Sequence, residues 1–144
     1  MSNDRCIFKE GSLAIPQGFI DRTVNILADA QSLQPPVNIS RDSLPAGAQL
    51  SDYIAQQLGE LQRNVTGWEE QAITEVVLGE NDCTGIGLHY SFLHPDTRRI
   101  WQTQAVFDRG NGAILVFSTS KAAEFTPEEK ANFLQIIQSF RPHA

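Results

Sequence analysis

The chain has 144 residues, of which 41% are hydrophobic and 19% charged, with a formal net charge of -6 at pH 7. Such a composition excludes a disordered chain and suits one globular domain, 1–144, whose core forms without disulfides or a metal. The acidic balance, with no Lys/Arg cluster, argues against nucleic acid as a partner. No apolar run approaches the ~20 residues that span a bilayer, so no membrane insertion is expected.

The opening residues, MSNDRCIFKEGSLAIP, hold no apolar stretch of signal-peptide length, and the expected location is cytoplasmic. Cys6 and Cys83 are then expected to remain reduced. Alternation and β-branched residues predict strands near Cys6–Lys9, Ser12–Ile15, Thr23–Leu27 and Val37–Ser40. A helix follows at about Leu50–Val65, with Ile54, Leu58, Leu61 and Val65 on one face. Strands return at Gln71–Leu78, Gly85–Leu93, Arg99–Phe107 and Ala113–Thr119. A second helix opens at Thr126-Pro127-Glu128-Glu129, which has the form of a capping box with proline at the first helical position. Its apolar stripe is Phe133, Ile136, Ile137 and Phe140.

Two turns organise the later strands, HPDT at His94–Thr97 and RGNGA at Arg109–Ala113. Consecutive hairpins flanked by helices predict an α+β domain, an antiparallel β-sheet with helices packed on one face. If HPDT is a four-residue loop, Tyr90 faces Trp101, Leu88 faces Thr103 and Ile86 faces Ala105 on the covered side. The other side then carries Gly85, Gly87, His89 and Ser91 opposite Val106, Gln104, Gln102 and Ile100. Glycine inside a strand marks a bulge or a close backbone approach. This face is therefore either an ordinary solvent face or a shallow groove, with Gln102 and Gln104 offering donors and acceptors along it.

Reaction chemistry is missing. His89, His94 and His143 have no ligand spacing, and Cys83 with His89 and His94 lacks any CxxC or HxxxH context, so no metal is expected. No nucleophile elbow, phosphate loop or complete dinucleotide fingerprint is present, so no cofactor and no enzymatic activity are expected. A small hydrolase built on His89 is the weakest of the alternatives.

The runs GSLAIPQGFIDRTVNIL and NISRDSLPAGAQLSDYIAQQLGEL resemble the DcrB-related group and, within it, the Eag chaperones of type VI secretion. The carriers are Pro-x-Gly-aromatic-x-Asp-Arg-Thr-Val-Asn at Pro16–Asn25 and Ser-Arg-Asp-x-Leu-Pro-x-Gly at Ser40–Gly47. The closing FLQIIQSFRP is similar to the last helix of the wider group. The resemblance implies a Mog1/PsbP-like fold and a homodimeric cytoplasmic chaperone. Its partners would be the hydrophobic N-terminal segments of a toxin effector and, through that effector, the secretion spike. The expected cargo-binding groove is Val24, Ile26, Gly85, Gly87, Gln102 and Gln104, with Val37 and Ile39 equally suited to the core. The alternative is a regulatory module on the same fold that binds a folded, soluble partner.

Overall fold

The structure, a computed structural model, describes residues 4–143. Strands β1 (Arg5–Phe8) and β2 (Gly11–Ala14) form a hairpin of their own. The main sheet is built from β3 (Asn25–Leu27), β4 (Val37–Ser43), β5 (Thr66–Leu78), β6 (Cys83–Leu93), β7 (Arg99–Asp108) and β8 (Ala113–Lys121). It runs in the order β3-β4-β8-β7-β6-β5, and every neighbouring pair is antiparallel. Helix α1 (Leu50–Asn64) joins β4 to β5, and α2 (Pro127–Gln138) follows β8. The class and the antiparallel sheet agree with the sequence.

The placement of the helices does not. Each face of the sheet carries one helix, instead of both helices sharing a face. Ile54 of α1 packs with Leu88, Tyr90, Val106, Ile114 and Val116, and Leu50, Tyr53, Leu58 and Leu61 extend that cluster. Phe133 and Ile137 of α2 pack with Val37, Val76, Leu78, Ala105, Phe107 and Phe117 on the opposite side. The physical reason lies in β7 and β8, where successive residues Ala105-Val106-Phe107 and Val116-Phe117 are all buried. Alternate side chains of a strand point to opposite faces, so a run that is apolar at both parities needs a cover on each.

Local chemistry sets the helix boundaries. Thr126 Oγ1 accepts from the Glu129 N–H at 3.1 Å, and Glu129 Oε1 accepts from the Thr126 N–H at 2.9 Å, the reciprocal box expected for α2. Lys121 at the end of β8 donates to the same carboxylate at 2.7 and 2.8 Å, pinning the helix start to the sheet. The α2 stripe is narrower than its spacing suggests, since Ile136 is 37% exposed while Phe133 and Ile137 are buried. At α1, the Asp52 carboxylate accepts from the Gln49 N–H at 2.9 Å.

Gly85 is required by this packing. A Cβ there would lie 2.2 Å from the Val106 carbonyl oxygen and 2.4 Å from Cδ1 of Phe107. Overpacking a core usually costs roughly 1–3 kcal/mol, and backbone cannot move aside as a flexible side chain can. Gly85→Ala should therefore lose about 3 kcal/mol of unfolding free energy in urea titration; a loss below about 1 kcal/mol would show that the strand relaxes freely.

Candidate binding trough

The position of every candidate side chain follows from the hairpin between β6 and β7. The His94 N–H donates to the Arg98 carbonyl at 2.7 Å, and the Thr97 N–H donates to the His94 carbonyl at 2.8 Å. This leaves Pro95, Asp96 and Thr97 as the loop, with Thr97 at φ 74°, the left-handed residue that closes a three-residue hairpin. Asp96 clasps the turn, accepting from the Arg98 N–H at 3.0 Å and from its Nε at 2.8 Å. The Arg98 amide, followed by its guanidinium, holds the Asp96 carboxyl below the usual carboxylate range.

The loop is one residue shorter than the four-residue reading, and the register shifts accordingly. Leu88 lies opposite Gln104 and Tyr90 opposite Gln102, while Gly87 meets Ala105 and His89 meets Thr103. A one-residue slip turns a whole strand over. Gln102 and Gln104 consequently belong to the α1 face, and Gly85 and Gly87 to the α2 face. The grouping of the glycines with the glutamines is corrected.

Both glycines have neighbours from their own chain that explain them. Gly85 receives the Phe107 ring, and a Cβ on Gly87 would stand 2.5 Å from the Thr74 hydroxyl. Val37 is buried, and Ile39 packs against the α2-side core, so these two are structural.

On the α1 face a continuous cross-strand row runs Ile26, Asn38, Ser118, Gln104, Leu88, Ile73. Helix α1 covers the Leu88 end through Ile54. The β3–β4 end stays uncovered, with Ile26 64% exposed and Val24, one residue before β3, 51% exposed. Gln102 pairs with Ser120 as well as Tyr90 and adds a second amide beside the row. The result is a trough, apolar at its β3 rim and amide- or hydroxyl-bearing along its floor. A concavity of about 220 Å3 lies against α1, lined by Ser40, Tyr53, Ile54, Gln57, Gln104 and Val116.

Two adjacent residues hold its walls. Arg41 Nη1 donates to Asn25 Oδ1 at 2.8 Å and to the Thr23 carbonyl at 3.3 Å, tying down the chain that presents Val24 and Ile26. Asp42 Oδ2 accepts from the Tyr53 hydroxyl at 3.0 Å, tying α1 to β4. Burial and then the Asp42 carboxylate push the Tyr53 phenol well above its ordinary value, so it stays a donor. Asn38 and Ser118 join the trough although no sequence motif singles them out. The alternation Val37-Asn38-Ile39-Ser40 was a usable signal, because it places polar residues on one parity.

His89 Nδ1 lies 3.2 Å from the Thr103 hydroxyl and Nε2 3.4 Å from that of Thr74, and burial followed by the Lys130 charge lowers its pKa. Cys6 and Cys83 are both free thiols. Among the described residues no group of three or more His, Cys, Asp or Glu is arranged to hold a metal, and no helix is long and apolar enough to cross a membrane.

The architecture is a PsbP-like α+β fold. It superposes on the solution structure of cyanobacterial PsbP (CyanoP) from Synechocystis with a TM-score of 0.59 and 15% identity, over 90% of this chain and 80% of that one. A Pseudomonas aeruginosa protein of unknown function, described as a candidate regulator, matches with a TM-score of 0.71 and 20% identity, over 98% of this chain and 97% of that one. Residues 10–139 match the DcrB family model, and the chain belongs to that family. No curated protein matches it in sequence.

The register rests on a strained residue, which makes it testable. A left-handed conformation costs a non-glycine residue roughly 1–2 kcal/mol, partly offset in glycine by the greater entropy of its unfolded chain. Thr97→Gly should raise stability by up to about 1 kcal/mol in urea unfolding, with unchanged NMR contacts between Leu88 and Gln104. Contacts from Leu88 to Thr103 instead would refute the three-residue loop.

Proposed function

We propose that this chain is an Eag-type chaperone of type VI secretion. It binds the hydrophobic N-terminal transmembrane segments of a toxin effector in the cytoplasm, keeps them soluble and helps load the effector onto the secretion spike. The reading treats the protein as a binding protein with no catalytic step and no cofactor. Membership of the DcrB family and the two sequence runs at Pro16–Asn25 and Ser40–Gly47 support it.

The observation that carries the proposal is the row Ile26, Asn38, Ser118, Gln104 on an uncovered half of the sheet. Apolar helices exposed to water cost roughly 25 cal/mol per Å2 and aggregate unless shielded. In membranes such helices pack through small residues and side-chain hydrogen bonds. A floor of serine, asparagine and glutamine beside an isoleucine and a valine imitates that environment, and its shallowness allows release. Gly85 and Gly87 have no part in this trough.

Pairing of two chains completes the proposal. Ile7, Leu13, Phe19 and Ile20 of the N-terminal limb are 62 to 77% exposed in the single chain. Apolar surface of that extent ordinarily marks an interface. Light scattering of the purified protein should give twice the 16.0 kDa of one chain, and a monomer at micromolar concentration would refute the dimer.

The trough is tested by co-purification with a fragment bearing the effector's hydrophobic segments. Ile26→Asp should fold, because the position is exposed, and should lose the fragment, because a carboxylate buried against an apolar helix costs several kcal/mol. Gln104→Ala should weaken retention mildly, since one interhelical hydrogen bond is worth only ~0.6 kcal/mol. Full retention by folded Ile26→Asp would remove the trough from the proposal. Retention of an effector whose transmembrane segments have been deleted would favour the regulatory module with a folded partner.

A further inference from the structure

The face opposite the trough contains a second, separate feature. A cavity of about 270 Å3 lies between the sheet and α2. Its origin is legible residue by residue. On the α2 face, Gly87 and Ala105 are direct cross-strand partners, and neither projects a large side chain into the space beneath α2. Phe125, Phe133 and Leu134 roof this hollow.

One cross-strand row forms the polar wall, running His89, Thr103, Thr119. His89 and Thr103 answer each other at 3.2 Å. Thr119 is different, because it is 6% exposed and its hydroxyl has no hydrogen-bond partner within the described chain. An unsatisfied buried hydroxyl is costly, and natural structures seldom leave one without water, an ion or a ligand to meet it.

We infer that this cavity is a binding site for a small, uncharged, largely apolar molecule carrying one hydrogen-bonding group, which meets the Thr119 hydroxyl. The size is suitable, since an apolar cavity of about 150 Å3 already accommodates benzene. A neutral ligand fits the charges of the lining. Glu129 is neutralised by Lys121 at 2.7 Å, Glu75 and Lys130 are exposed, and no charged side chain among the described residues is buried in the wall. An ionised ligand would lose its hydration without gaining a buried counter-charge. The site is on the other face of the sheet from the trough, so it stands or falls independently of the chaperone reading.

The test uses isotope-labelled full-length protein, with naphthol as the hydrogen-bonding probe and methylnaphthalene as its apolar isostere. Naphthol should shift the amide signals of Gly87, Ala105 and Thr119 saturably, leaving those of Asn38 and Ser118 in place. Thr119→Val should weaken naphthol by roughly fivefold, the worth of one neutral hydrogen bond, and leave methylnaphthalene unchanged. Ala105→Leu, which fills the floor, should abolish both; should that variant fail to fold, Leu134→Trp at the partly exposed roof serves the same purpose. Absence of saturable shifts at the cavity overturns the site, and so do shifts confined to the trough. An equal affinity of naphthol for Thr119→Val and the parent overturns the assigned ligand chemistry.

Discussion

The three residues Pro95, Asp96 and Thr97 constrain nearly everything else in this sheet. Side chains alternate across a strand, so the length of one hairpin loop decides which half of the following strand meets which helix. Thr97 accepts a left-handed backbone, and Asp96 locks the turn through both the amide and the guanidinium of Arg98. With that register set, Val106 reaches the α1 cluster while Ala105 and Phe107 reach the α2 cluster. Gln102 and Gln104 come to lie beside Tyr90 and Leu88 in the same step.

Packing then exploits size differences at neighbouring positions. Gly85 admits the Phe107 ring, which meets Phe117 edge-on with centroids 5.9 Å apart. Two residues along the strand, Gly87 lies against the Thr74 hydroxyl and faces Ala105, and the hollow under α2 remains beyond them. On the α1 side Trp68 stacks on Tyr90 at 4.8 Å, and the aromatic stack closes that end of the core. Both glycines therefore admit a close neighbour, the Phe107 ring at Gly85 and the Thr74 side chain at Gly87.

The pair Arg41-Asp42 shows how weak surface interactions acquire structural consequence. Exposed polar contacts contribute little to stability individually. Here the two side chains leave β4 in opposite directions, one holding the segment before β3 and the other holding α1 through Tyr53. These are the two walls of the trough. The stretch ISRDSLPAGAQLSDYIAQQL thus holds the two walls in place and also lines the concavity against α1 through Ser40, Tyr53, Ile54 and Gln57.

Much of the fold could be read directly from residue patterns. Helix α1 begins at Leu50 as its apolar spacing indicates, and Thr126 with Glu129 makes the box that opens α2. The strands and the α+β class were likewise legible, because periodicity, capping and turn chemistry act within a few residues of chain. Strand β5 starts earlier than its alternation indicates, because Gly67 at φ 66° and two register irregularities interrupt the pattern. Assignment of the faces was a different kind of problem. Whether Gln104 joins Gly87 or Leu88 depends on one left-handed residue in a loop, and threonine is a poor advertisement for that conformation. Which face receives each helix depends on long-range burial of strands that are apolar on both sides. Local sequence determined the elements and their order; pairing across the sheet decided which residues share a surface, because that choice is made by contacts between residues far apart in the chain.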